Sequence, residues 1–257
     1  MASISTDVSW IELDGAVNAR VVVPGVLLRS DNLQALTPTD ISHLVDAHGL
    51  QVVIDLRTDA ELVLEGPGPL HGEQKVRIVH HSLYPSRPAG RPESGTVVST
   101  ADIWESSKDD EFIGEPRLAR TYLAYLTSRP DSVVAAVREI AVADGAVLVH
   151  CAAGKDRTGT VVALALDAAG VPRDQIVRDY MASADRIEEI FVRLLGSPTY
   201  RAELEGENPQ DHSPQAGTIE RVLQVVDARY GGSAAYLRQH GLGEPELQKL
   251  RRRIGRS

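Results

Sequence analysis

Val147-Leu148-Val149-His150-Cys151-Ala152-Ala153-Gly154-Lys155-Asp156-Arg157-Thr158-Gly159 is the stretch that decides how this chain folds. An apolar run stops at His150-Cys151. Small residues follow, and Thr158-Gly159-Thr160 then opens Val161-Val162-Ala163-Leu164-Ala165-Leu166, which reads as a buried helix. The predicted order is strand, tight loop, helix. The only cysteine of the chain stands at the mouth of that loop.

This order suits one chemistry. A helix N-terminus presents unpaired N–H groups and a partial positive charge, so it attracts anions. Ala152, Ala153 and Gly154 are small enough for successive backbone N–H groups, from Ala152 to Arg157, to turn inward as an anion nest. Arg157 adds a planar fork that matches two phosphate oxygens, and Lys155 adds further positive charge. Positive surroundings of this kind favour the thiolate, the nucleophilic form of cysteine, and the Thr158 hydroxyl is placed to donate to it. Sulfur beneath a bound phosphate implies in-line attack on phosphorus and a phosphocysteine intermediate. Taken alone, a single cysteine is most often a small buried apolar residue; its spacing from Arg157 is what gives it a role. A nucleotide-binding P-loop is rejected, because that motif needs Gly at 149 and Ser or Thr at 156, where this chain has Val149 and Asp156.

His150-Cys151-x5-Arg157-Thr158-Gly159 resembles the signature of cysteine-dependent phosphatases. Lys155-Asp156 narrows the resemblance to their atypical bacterial subgroup, whose members act on phosphotyrosine, phosphoserine/threonine and phosphoinositides. The resemblance implies an α/β, tyrosine-phosphatase-type fold: a central, mostly parallel sheet flanked by helices, with a helical C-terminal half. It implies one phosphatase domain over 1–257, a phosphorylated protein or phosphoinositide as partner, and no cofactor or metal. Arg29-Ser30, Asp55-Leu56-Arg57 and Gly66-Pro67-Gly68 resemble further family segments. The family also offers an aspartate as general acid after the strand that matches residues 76–81 here. Aligned on Leu83-Tyr84-Pro85, that position here is Ser86. Asp156, inside the loop, becomes the leading candidate to protonate the leaving group or to orient Arg157. Asp102 is second, with Asp109 and Asp110 nearby.

The rest of the chain fits around this centre. Its 257 residues suffice for a full core, and a net charge of −9 argues against a general nucleic-acid or anionic-membrane binder. One cysteine excludes an internal disulfide. No apolar run approaches about 18 residues, the minimum for a membrane-spanning helix. The N-terminus lacks basic and apolar signal regions. The expected location is cytoplasmic, or secreted without an ordinary signal peptide, as for some members of the family.

Residues 1–20 carry little pattern. Val21-Val22-Val23 and Val26-Leu27-Leu28 read as short strands around Pro24-Gly25. Thr37-Pro38-Thr39-Asp40 reads as a capped helix start ending at Gly49. Residues 51–56 and 76–81 read as strands. His80 and His81 point to opposite faces of the second one, which argues against a shared metal ion. Arg57 is read either as a structural ion pair or as a contact to the loop or substrate. Residues 85–116, rich in Pro and Gly, read as a loose insertion. Residues 117–128 carry an apolar face, and a helix follows from Pro130 to about Ala143. Residues 172–183, 185–195 and 217–229 read as helices, with further C-terminal helices to Ile254. The 197–216 stretch reads as polar. A helical lid over the site within 184–215 is one reading of the apolar face at 187–195.

Overall fold

The computed structural model describes residues 8–85 and 112–255. Six strands make one sheet: β1 (Ser9–Trp10), β2 (Arg20–Val23), β3 (Leu27–Ser30), β4 (Leu50–Asp55), β5 (Arg77–His80) and β6 (Ala146–His150), in the order β1-β2-β3-β6-β4-β5. The first three run antiparallel, while β3, β6, β4 and β5 are mutually parallel. Thus β6 lies between two parallel neighbours. It pairs Leu27↔Val147 through Ser30↔His150 on one side and Val53↔Leu148 through Asp55↔His150 on the other. The strand that delivers Cys151 is hydrogen-bonded on both sides to its last residue.

Both faces of β6 are covered. Val147 and Val149 join Val22, Val52, Ile54 and the large helical core. Leu148 faces the other way, against Leu28, Leu44 and Val53. Burial on two faces explains why this strand is continuously apolar rather than alternating. The helix Asp156–Ala169 follows directly, with Val161, Val162, Leu164 and Leu166 buried. The predicted helix at 130–143 is found at Pro130–Val142, with Val133, Val134, Val137, Ile140 and Ala141 all buried. The C-terminal helices Ala216–Tyr230, Ser233–Gln239 and Glu244–Ile254 complete this layer.

Two capping boxes start short helices near the strand ends. Thr37 accepts from the Asp40 amide at 3.2 Å, and Asp40 accepts from the Thr37 amide at 2.8 Å, as the sequence predicts. Asp40 also takes the amides of Asp14 and Gly15, each at 2.9 Å, so the same carboxylate pins the N-terminal segment. A second box, Thr58 with Glu61, starts the helix Asp59–Glu65, which sequence analysis did not assign. With seven residues it is too short to show an apolar stripe, so its cap is its only strong sequence signal.

The polar stretch 197–216 also carries secondary structure that sequence analysis did not assign. It holds the helix Pro198–Leu204 and a 3-10 turn, Pro209–His212. Ser197 caps the first, and Pro198 occupies the first helical position, where a missing N–H costs nothing. There the proline starts a helix rather than breaking one. The predicted insertion at 85–116 lies mostly outside the described residues; Phe112, at its end, packs against the core. No helix among the described residues is long and apolar enough to cross a membrane.

Candidate active site

The loop after β6 is held from outside by its carbonyl groups. The Asn32 amide donates to the Ala152 oxygen at 2.9 Å. The Asn18 side chain donates to the Ala153 oxygen at 2.9 Å, and Arg29 Nη2 to the Gly154 oxygen at 2.7 Å. A planar trans peptide points its N–H opposite to its C=O. The amides of Ala153, Gly154 and Lys155 therefore face the inside of the turn, as an anion cradle requires. Gly154 makes the turn with φ +65, and a Cβ there would lie 2.2 Å from the Ser30 carbonyl oxygen. Only glycine fits this position.

Cys151 is buried at the base of the loop, and the Thr158 hydroxyl lies 3.2 Å from its sulfur, donating to it. Arg157 comes from the first turn of the following helix. Its Nη1 donates to Glu61 Oε2 at 2.7 Å and its Nη2 to Glu61 Oε1 at 3.0 Å. A second Nη1 hydrogen reaches the Leu56 carbonyl at 3.5 Å. Of the five guanidinium N–H groups, the Nε–H and one Nη2–H, side by side on one edge, make no hydrogen bond among the described residues. That edge is a two-pronged fork, and Glu61 fixes its direction. The Arg157 plane also lies over the Tyr84 ring, 5.2 Å from its centroid.

Burial alone would raise the Glu61 carboxyl, but Arg157 pulls it down to about 2. Burial alone would lower Arg157, but Glu61 and then Cys151 raise it well above the usual arginine value. The pair is therefore ionised throughout the physiological range. Sequence analysis missed Glu61 as a site residue; the Thr58-x-x-Glu61 spacing was its visible trace.

Asp156 and Lys155 face the same cavity. Asp156 Oδ1 accepts a hydrogen bond from the Tyr122 hydroxyl and lies 3.6 Å from Lys155 Nζ. Burial, then Asp156, raises Tyr122 well above the usual tyrosine range, so its hydroxyl stays a donor. Lys155 Nζ also donates to the His212 carbonyl. The cavity has a volume of about 490 Å³. Ile187, Ile190, Phe191 and Leu194, from the helix Ile187–Gly196, line one apolar wall of it. Tyr200 closes it near Glu61, while Glu203, Glu207 and Asp211 line it on the roof side.

The resembling segments find their places beneath the loop. Arg29 is fully buried and also binds Asp179 at 2.5 Å. Arg20 binds the same carboxylate at 3.0 Å. Burial alone would raise Asp179, but Arg29 and Arg20 bring it below the usual carboxylate range. Arg57 is the structural ion pair of the two readings: it clasps Asp55 at 2.6 Å and does not line the cavity. Burial lowers His150 below its usual range, although Asp55 pulls the other way. A neutral imidazole therefore sits behind the cysteine. Ser86, Asp102, Asp109 and Asp110 lie outside the described residues. Asn18 and Arg20 were invisible to sequence analysis, because isolated polar residues carry no period.

Residues 12–255 match the family model described as the tyrosine phosphatase family. The chain belongs to the tyrosine phosphatase family. A tyrosine-protein phosphatase of Nostoc commune is 32% identical over 255 residues, covering 94% of this chain and 78% of the relative. The triple specificity protein phosphatase PtpB of Mycobacterium tuberculosis is 27% identical over 264 residues, covering 95% of each. Among solved structures, TpbA of P. aeruginosa matches at 15% identity with a TM-score of 0.34, covering 96% of each chain. At that score the fold assignment rests on the sheet and the family, not on this likeness. Membership makes this phosphatase a hydrolase of phosphate esters and accounts for Cys151 and Arg157 meeting at one cavity.

Proposed function

We propose that this phosphatase cleaves phosphotyrosine in proteins through a phosphocysteine on Cys151. One observation supports the reading: Cys151 and Arg157 line the same cavity, together with a group of apolar side chains. The phosphoryl group sits in the amide cradle with two oxygens on Arg157. The Cys151 thiolate attacks phosphorus in line, so a P–S bond forms as the P–O ester bond breaks. The departing oxygen takes a proton from Asp156, or from Asp102 as the second candidate. Water then gives a proton back to that carboxylate and attacks phosphorus, the P–S bond breaks, and phosphate leaves as the thiolate returns. Arg157 and the amides stabilise the equatorial oxygens while charge redistributes.

The wall of Ile187, Ile190, Phe191 and Leu194 suits a flat aryl ring better than the short stem of phosphoserine or phosphothreonine. A phosphoinositide headgroup is the second reading. Lys155 and Arg117, two further cations lining the cavity, favour it. Against it stand Glu203, Glu207 and Asp211 in the same cavity, where additional phosphates would meet like charge. The relative's triple-specificity name makes all three substrate classes worth assaying.

A panel of phosphotyrosine, phosphoserine and phosphothreonine peptides and phosphoinositide headgroups tests the reading, with wild type and Cys151→Ser side by side. The expected order puts phosphotyrosine first, with the serine variant inactive and acid-quenched wild type carrying phosphate on Cys151. Near wild-type turnover by Cys151→Ser would remove the cysteine from its role. Faster cleavage of headgroups than of phosphotyrosine would replace the first reading by the second.

A further inference from the structure

Glu61 has no spare acceptor. Its Oε2 takes the Thr58 amide at 2.6 Å and Arg157 Nη1 at 2.7 Å. Its Oε1 takes Arg157 Nη2 at 3.0 Å and the Tyr200 hydroxyl at 2.9 Å. A carboxylate has about four lone-pair sites, so these donors fill it. Three of them come from the helix cap and the arginine itself. The fourth arrives from the helix Pro198–Leu204, 139 residues further along the chain. Tyr200 is buried, and it is the only one of these donors carried by the roof of the cavity.

The two ends of Glu61 are thus held differently. Oε2 is anchored to backbone at Thr58. Among the described residues, Oε1 is anchored, apart from Arg157, by Tyr200 alone. Without that hydroxyl the carboxylate is free to pivot about its Oε2 anchor, and the arginine it clasps pivots with it. The edge of Arg157 away from Glu61 takes its direction chiefly from the two short bonds to Glu61, the Leu56 carbonyl contact being longer and the Tyr84 ring bounding only the plane. A small rotation moves both prongs off the phosphate oxygens.

We propose that Tyr200 is a positioning residue for Arg157, acting through Glu61, so that the roof helix sets the aim of the phosphate fork. The proposal rests on the function argued above and adds a residue to it. The Tyr200 ring touches neither sulfur nor phosphate in this role; its hydroxyl alone acts. Burial, then Glu61, raises the Tyr200 pKa, so the hydroxyl stays a donor.

A double-mutant cycle on kcat/KM for a phosphotyrosine peptide tests this. Tyr200→Phe keeps the buried ring and removes the oxygen. It should lower kcat/KM about tenfold, the scale of one lost hydrogen bond to a charged group, in KM as well as kcat because the fork also holds the phosphate of the bound substrate. In a Glu61→Gln background the same substitution should change the rate by less than about twofold, because the path through the carboxylate is already cut. Equal losses in both backgrounds would overturn the proposal, as would no loss in the wild-type background.

Inorganic phosphate supplies a second readout that needs no Glu61 variant. Tyr200→Phe should weaken its binding to the folded variant, measured by calorimetry, about fivefold. Unchanged phosphate binding would overturn the proposal even if Glu61→Gln failed to fold. Should wild type cleave no phosphate ester, the proposed function fails by itself, and the calorimetric comparison still decides the role of Tyr200.

Discussion

Arg29 Nη2 donates to the Gly154 carbonyl oxygen at 2.7 Å, from a strand 125 residues earlier in the chain. The same guanidinium holds Asp179, so one buried arginine joins β3, the phosphate loop and the helix Arg173–Met181. Breaking a buried ion pair leaves an uncompensated charge, which costs about 3–5 kcal/mol. Arg29→Met should therefore destabilise the protein by about that amount in urea unfolding and abolish turnover in the folded fraction. A loss under about 1 kcal/mol would mean that Arg20 alone satisfies Asp179.

Arg157→Lys should be nearly as damaging as Arg157→Ala. Lysine brings the charge but neither the grip on Glu61 nor the paired prongs. The expected cost in transition-state binding is about 3–5 kcal/mol, the scale of losing a desolvated charge partner. Steady-state kinetics decides: a lysine variant keeping more than about a tenth of the wild-type rate, a loss under about 1.4 kcal/mol, defeats the geometric argument.

Asp156→Asn separates two roles for that carboxylate. A general acid matters for a poor leaving group and little for a good one. If Asp156 gives the proton, the variant should cleave an alkyl phosphate about 10²–10⁴-fold more slowly while largely sparing a nitrophenyl ester. Equal loss on both substrates would assign it to orienting its neighbours, through Tyr122 and Lys155. The acid would then be sought at Asp102.

Acid stability should report Glu61. Its carboxyl lies near 2 in the folded protein, below the ordinary value of 4.5. A depressed carboxylate stabilises the fold fully above the unfolded value and loses that contribution as pH falls through the folded one. About 3 kcal/mol should therefore fade between roughly pH 4.5 and 2, and Glu61→Gln should flatten the stability curve there. Denaturant midpoints at pH 2, 3, 4 and 6 measure it; parallel curves for variant and wild type would refute the pairing.

Much of this architecture was legible where the pattern is local. Thr37-Pro38-x-Asp40 is a complete cap, and the apolar run 147–149 needs burial on two faces, so both were predicted from the residues that build them. Cys151 and Arg157 were legible because a loop that wraps an anion has a fixed length. Glu61 and Tyr200 were hidden for the opposite reason. They meet across 139 residues, and nothing in either neighbourhood announces the other. The helix at Pro198–Leu204 was not assigned because seven residues in a polar stretch show no apolar period, although Ser197-Pro198 is a legible start. Arg57 illustrates a third case: its strand-end position allowed two roles, and only the 2.6 Å grip on Asp55 separates them.

The wide sequence separation of the parts also dictates when this protein becomes active during its own synthesis. The loop that carries Cys151 is tied to Asn18 across 135 residues, and its arginine is aimed through a tyrosine that leaves the ribosome later still. Long-range pairings of this kind form late, because chain closure comes before any contact rewards it. A nascent chain that has just extruded Thr158 already holds nucleophile and arginine, yet its cavity still lacks the wall at 187–194 and the Tyr200 contact. A chain released only that far should therefore lack the phosphate pocket of the finished protein, although it already carries Cys151 and Arg157.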